Sequence, residues 1–203
     1  MISEPLSIKQ KFIKRLLDIS LSLIGLILSF LFLGILLILT SIHTKSFGLL
    51  SQTRIGQYGK PFQLLKLKTM IIDGEDTTFI TTSKDPRITK FGHFLRKTKL
   101  DELPQLWNVL FGEMSFVGPR PDVSGYADQL EGDDKIILSV KPGITGPASL
   151  AFRDEEELLA QKDNPKQYND EVIWPQKVKI NKAYVENYSF KNDLMYVIKT
   201  ILG

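Results

Sequence analysis

The 203-residue chain contains no cysteine, which excludes a disulfide scaffold, thiolate metal sites and cysteine nucleophiles and leaves the redox compartment open. Histidine is scarce: His43 and His93 stand far apart. A histidine-rich metal cluster is therefore excluded, and a Ser/His/Asp triad would have to recruit one of these two. There is no internal repeat and no low-complexity tract. With 43% hydrophobic residues and 10% aromatics, the chain is too apolar to stay disordered. Between Ile19 and Thr44 both charge and proline are missing. The formal net charge of +3 hides an asymmetry: residues 1–100 carry 15 Lys/Arg against 6 Asp/Glu, and residues 101–203 carry 11 against 17. Two halves of opposite sign suggest that the first faces an anionic partner.

The charge-free stretch dominates the organisation. From Ile19 to Ile42 it is 24 residues of mostly Leu, Ile and Phe, long enough as a helix to match about 30 Å of hydrocarbon. A signal peptide would have a shorter apolar region, about 7–15 residues, and a small-residue cleavage site. Thr40-Ser41-Ile42-His43 offers no such site, so the segment reads as a retained anchor. Lys9, Lys11, Lys14 and Arg15 precede it, and Lys45, Arg54, Lys60, Lys66 and Lys68 follow. A single span carries its Lys/Arg excess on the cytoplasmic side. Positive charge on both flanks suits a re-entrant segment with both ends on one face, which would need a break near Ser29 or Gly34, and a spanning helix stays open as the alternative. The chain thus divides into residues 1–48, carrying the membrane helix, and residues 49–203, a soluble-facing domain.

Within that domain, Arg54–Met70 predicts a short hairpin, with turn signals at Gly56 and Gly59-Lys60-Pro61. Asp73–Ser83 reads as a polar loop. Ile88, Phe91 and Leu95 have helical spacing among Lys90, Arg96 and Lys97. Beside a membrane anchor, this basic amphipathic helix with Phe94 reads as an interface helix. Leu100–Phe111 predicts a second helix, ended by Gly112, with Leu103, Leu106, Trp107 and Leu110 as its apolar stripe. Asp101 and Glu102 open it, and Pro104 fits its first turn. By itself an acid pair there reads as a cap on the positive end of a helix dipole.

The neighbours of the pair add chemistry. Arg96, Lys97 and Lys99 precede it. Gly118-Pro119-Arg120-Pro121 clamps a guanidinium between two prolines, a stiff presentation suited to bidentate phosphate recognition. Lys141-Pro142-Gly143-Ile144-Thr145-Gly146-Pro147 is a second stiff, turn-rich segment. Two carboxylates near such cations could hold a divalent metal at a phosphoryl group. A carboxylate can also attack phosphorus covalently. Anion attacking anion calls for neutralising charge, hence Mg²⁺.

These residues carry a resemblance. Arg15 and Asp18, Gln52–Gly56, Lys66–Met70, Leu100–Leu110, Met114–Pro121, Lys141–Gly146 and Tyr184–Phe190 occur in an order similar to that of the bacterial sugar transferase family, the small monotopic phosphoglycosyl transferases. The resemblance runs from about Lys11 to the C-terminus. It implies a mixed α/β, mostly helical fold with a small β element and amphipathic interface helices. It implies transfer of a phosphosugar from a UDP-sugar to polyprenol phosphate (undecaprenyl phosphate) with release of UMP, the first membrane step of glycan assembly. The setting would be the cytoplasmic face of the bacterial inner membrane. Asp101 would be the nucleophile, Glu102 its dyad partner, and both would serve Mg²⁺. Arg96 and Arg120 would contact phosphate or nucleotide, with Pro119 and Pro121 shaping the pocket.

Some positions depart from the family pattern. The apolar segment lacks the Ser-Pro break, Lys68 stands where many members carry Arg, and Asn181 replaces a common Asp. Lys68 and Arg153 are the remaining candidates for substrate contact, and the charged stretch Arg153–Asp170 otherwise reads as a solvated helix and loop. Membrane lipid is an expected partner and nucleic acid is not. A homo-oligomer stays open. The rival readings are a non-catalytic anchored module that binds anionic lipid and a hydrolase of nucleotide sugars.

Overall fold

The computed structural model describes residues 5–71, 82 and 84–202. The expected loop Asp73–Ser83 lies outside the described residues, apart from Thr82. Among them the chain is mostly helical, with two small sheets and one long apolar helix near its start.

Helix α1 runs from Ile8 to Thr44, about 55 Å at 1.5 Å per residue. Ser7 and Gln10 start it as a reciprocal capping box, and Lys45 ends it in the left-handed region at φ 51°. Where re-entry would need a break, the helix is unbroken. Ser29 is held inside the helix, its hydroxyl donating to the Gly25 carbonyl at 2.7 Å.

The burial of α1 is inverted. Its buried residues are Lys14, Asp18, Ser22, Leu26, Leu36, Thr40 and Thr44, one face at helical spacing, and most are polar. Its exposed residues include Leu23, Ile27, Leu28, Phe30, Leu31, Ile35 and Ile38. An unbroken apolar surface of this extent does not suit water. Ser22, Thr40 and Thr44 return their hydroxyls to carbonyls of α1 itself, and the domain satisfies the two charged residues of this face. Lys14 Nζ donates to the Val117 carbonyl at 2.9 Å and pairs with Asp193 at 2.5 Å. Asp18 accepts from the Ser115 hydroxyl and the Phe116 amide, each at 3.0 Å. At the far end Leu36 packs with Leu67 and Leu95, and the Ser41 hydroxyl accepts from the Gly48 amide at 2.9 Å. Both ends of α1 therefore rest on the same body.

Asp193 also accepts from the Tyr184 hydroxyl at 2.8 Å. Removing it strands a buried ammonium and a buried phenol. Asp193→Ala is expected to cost about 3 kcal/mol of stability, read as a lower midpoint of thermal unfolding in detergent. An unchanged midpoint would mean that this pair does not fasten α1.

The hairpin forms with β1 (Leu49–Ile55) antiparallel to β2 (Pro61–Leu67). It starts earlier than the turn signals suggested, because Leu49 and Leu50 pair with Leu67 and Lys66. Helix α2 (Lys90–Thr98) is capped by Thr89, whose hydroxyl accepts from the Gly92 amide. The expected helix over 100–111 is divided. Leu100–Glu102 is a tight 3₁₀ turn, and α3 begins only at Gln105 and runs to Phe111, closed by Gly112 at φ 86°. Trp107 leaves the expected buried stripe: it faces outward and stacks on Phe111.

Two anchors set α3. Asn108 accepts from the Leu65 amide and donates to the Gln63 carbonyl, joining α3 to β2. Arg15 donates to the Val109 and Leu110 carbonyls, both at 2.6 Å, at the negative end of the helix.

The second sheet is a parallel pair, β3 (Ser115–Val117) with β4 (Gly143–Thr145). The chain crosses itself tightly here, since a Cβ on Gly143 would lie 2.1 Å from the Gly118 nitrogen. This crossing fixes the segment that presents Arg120. The remaining α-helices among the described residues are α4 (Pro147–Ala151), α5 (Glu155–Leu159), α6 (Pro165–Tyr168), α7 (Trp174–Glu186) and α8 (Phe190–Leu202).

Candidate active site

Asp101 sits in the turn between α2 and α3. Lys99, in the left-handed region at φ 57°, reverses the chain just before it. The acid pair does not cap α3, whose N-cap is Pro104 without any side-chain hydrogen bond. Asp101 is 7% exposed, and its Oδ1 is buried with no hydrogen-bond partner. A carboxylate oxygen in that state is costly to the fold, and functional sites are where such cost accumulates. Burial, and then the charge of Glu102, push the Asp101 carboxyl up to about 6.

Glu102 is held differently. Arg120 Nη2 donates to its Oε1 at 2.5 Å. Burial alone would raise the Glu102 carboxyl, but Arg120, Lys99 and Lys66 outweigh it and hold it below the usual carboxylate range. Two adjacent acids are thus driven apart: one a basic, unpartnered oxygen, the other a firmly ionised carboxylate. Arg120 is half exposed between the buried Pro119 and Pro121. The Pro119 carbonyl accepts from the Gly143 amide at 2.8 Å, and the Asp122 carbonyl accepts from the Ile55 amide at 2.9 Å. The guanidinium therefore stands on a braced segment.

Arg96, on α2, donates from Nε to the Thr69 hydroxyl and from Nη1 to both oxygens of Glu156 at 3.1 Å. Lys66, on β2, lies within electrostatic range of Asp101, Arg54, Arg96 and Arg120. Burial and then the positive charges of Arg54 and Arg96 push its ammonium down to about 8.

The structure brings Asp101, Glu102, Arg96, Arg120, Pro119 and Pro121 together. It places Lys68 and Arg153 elsewhere. Lys68 Nζ donates to the Ser46 hydroxyl beyond the end of α1, at 2.7 Å. Arg153 is exposed and donates to the Lys199 carbonyl on α8. Sequence reasoning missed Lys66, although it lies in a motif already singled out. It also missed Glu155 and Glu156, in the stretch read as solvated, which act on Arg120 and Arg96.

For a metal, no group of three or more His, Asp or Glu side chains gathers at ligand spacing among the described residues. Magnesium asks for less. It usually takes one or two carboxylates and completes its shell with water and substrate phosphate. The unpartnered Oδ1 of Asp101 and the carboxylate of Glu102 fit that requirement.

Comparison with known proteins gives a consistent result. The family described as bacterial sugar transferase matches residues 9–203. The UDP-galactose-lipid carrier transferase of Erwinia amylovora is 32% identical over 94% of this chain and 40% of its own length. The UDP-glucose:undecaprenyl-phosphate glucose-1-phosphate transferase of Klebsiella pneumoniae is 35% identical over 93% of this chain and 39% of its own. The uncharacterized sugar transferase EpsL of Bacillus subtilis (strain 168) is 32% identical over 93% of this chain and 85% of its own. The chain thus spans about two fifths of the first two relatives and most of the third.

Proposed function

The chain belongs to the bacterial sugar transferase family, and on that footing we propose that it transfers a sugar phosphate from a UDP-sugar to polyprenol phosphate, with Asp101 as covalent nucleophile. The observation that carries the reading is the buried, unpartnered Oδ1 of Asp101 among Lys66, Arg96 and Lys99. In the first step that oxygen attacks the β-phosphorus of the donor. The bond from β-phosphorus to the bridging oxygen breaks, and UMP leaves with its electron pair. In the second step a phosphate oxygen of polyprenol phosphate attacks the same phosphorus. Asp101 is restored and a polyprenol diphosphosugar forms, the first lipid-linked unit of a glycan.

The residues divide the work. A carboxyl near 6 is mostly ionised at pH 7 yet more basic than a solvated aspartate, which suits a nucleophile. Arg120 and Arg96 offer guanidinium groups to the donor phosphates. Glu156 now occupies Arg96 and would yield it to substrate. Asp101 and Glu102 would hold Mg²⁺, which would neutralise charge on the departing phosphate. Pro119 and Pro121 keep Arg120 in place.

The membrane reading rests on α1. Its exposed apolar face suits lipid, and Phe94, Trp107 and Phe111 add exposed aromatics on α2 and α3. A spanning helix would carry its ends to opposite faces, but both ends of α1 meet one domain. We read α1 as held on the domain's side, which in this family's setting is the cytoplasmic face of the inner membrane. The absence of native cysteine makes the test direct. Cysteines introduced at the exposed Ser7 and Ser124 are expected to resist a membrane-impermeant thiol reagent in intact cells and to react after lysis. Labelling of Ser7→Cys from outside would refute the one-sided arrangement.

Activity is tested by UMP release over a panel of UDP-sugars, with and without polyprenol phosphate. Acceptor-dependent release into a lipid product is expected. Without acceptor, release beyond one UMP per enzyme would indicate a hydrolase, and no release with any sugar would favour a lipid-binding module.

A further inference from the structure

Arg54 is absent from the chemistry above, yet its setting is odd for a structural arginine. It is the penultimate residue of β1, two positions before the Gly56 turn. Its Nη2 donates to the Gln52 side chain at 3.1 Å. Its Nε is buried with no partner. It makes no ion pair among the described residues. The charges that act on it are Arg120, of like sign, and Asp122. Asp122 opposes that repulsion without forming an ion pair with Arg54, and burial pushes its carboxyl up to about 6.

Arg54, Lys66, Arg96 and Arg120 form one cationic group, each of the others acting on Lys66. Glu102 answers Arg120, and Glu156 answers Arg96. No carboxylate pairs with Arg54 or Lys66 among the described residues. Partly buried cations gathered together, with one guanidinium N–H unused, make a site suited to an anion the protein itself does not supply. A planar fork with a free Nε suits phosphate.

We propose that Arg54 binds a phosphate group of a substrate, beside Arg120, with its Nε as donor. This rests on the transferase reading, which offers two sources: the diphosphate of the donor or the phosphate of the lipid acceptor. The braced contact between the Ile55 amide and the Asp122 carbonyl holds the strand carrying Arg54 against the segment carrying Arg120, so both guanidinium groups can meet one anion.

The test is equilibrium binding of UDP and, separately, of farnesyl phosphate to the full chain in nanodiscs, for wild type, Arg54→Ala and Arg54→Lys, with thermal unfolding alongside. Arg54→Ala is expected to weaken one of the two by about 10- to 100-fold, the scale of a lost charged hydrogen bond. Arg54→Lys should restore it only in part. Weakened UDP binding assigns Arg54 to the donor, and weakened farnesyl phosphate binding assigns it to the acceptor. Both affinities within twofold of wild type would overturn the proposal. If Arg54→Ala does not fold, Arg54→Gln, which keeps the stem beside Gln52, is judged by the same two affinities. Binding does not require turnover, so a wild type that released no UMP would refute the transferase reading without deciding the role of Arg54.

Discussion

Asp101→Asn is expected to reduce acceptor-dependent UMP release by about 10⁴-fold or more while making the metal-free protein more stable. The substitution keeps the volume of the side chain and removes its charge and its nucleophilic oxygen. Loss of activity follows if that oxygen forms the bond to phosphorus. The gain in stability follows from the cost of burying it. The Asp101 carboxyl lies near 6 in the folded protein against an ordinary 3.8, so folding disfavours its ionised form. A raised carboxylate costs stability above its folded value, and the cost fades as pH falls through about 6 toward 3.8. At pH 7 the shift corresponds to about 3 kcal/mol, or several degrees in the unfolding midpoint. In EDTA the variant should unfold at a higher temperature than wild type at pH 7.5, and the gap should close between pH 6 and pH 4. A gap that ignored pH would mean that Asp101 is not held as a costly anion.

Arg120→Ala should lower UMP release by about 10³-fold. The guanidinium has two tasks, and the variant loses both. It is the counter-charge of Glu102, whose side chain is only 11% exposed, and it faces the place where donor phosphate would lie. Removing one partner of such a pair costs more than the pair contributes, because the other is left charged and unanswered. Arg120→Lys should recover only part of the rate, since an ammonium cannot span two oxygens as the fork does. Full recovery by lysine would reduce Arg120 to a point charge. An unchanged rate in the alanine variant would remove it from the site.

Much of this was legible along the chain. The hairpin turn was announced by Gly56 and the Gly59-Lys60-Pro61 run, the end of α3 by Gly112, and the meeting of Arg120 with the acid pair by the motifs at 100–110 and 114–121. What escaped depends on the third dimension. Lys66 and Lys68 are two residues apart, yet only Lys66 lies among the site cations, because Lys68 falls just past β2 and turns to Ser46. Glu155 reaches Arg120 across 35 positions and Glu156 reaches Arg96 across 60, distances no local spacing encodes. Asp101 resembled a helix cap until the tight turn at Leu100–Glu102 separated it from α3. The hydropathy of α1 was plain, but its inversion was not. Lys14 and Asp18 point inward to polar partners in the domain, Ser22, Thr40 and Thr44 lie on the same face with their hydroxyls returned to carbonyls of α1 itself, and the side left facing outward is apolar.

The most direct measurement of the central claim is retention of sugar on the protein. Wild-type chain mixed with a UDP-sugar labelled in its sugar, without acceptor, should carry label in proportion to enzyme. The label should survive denaturation, leave on addition of polyprenol phosphate, and be absent from Asp101→Asn. Label passing to the lipid with none ever on the protein, or label retained by Asp101→Asn, would contradict Asp101 as the nucleophile.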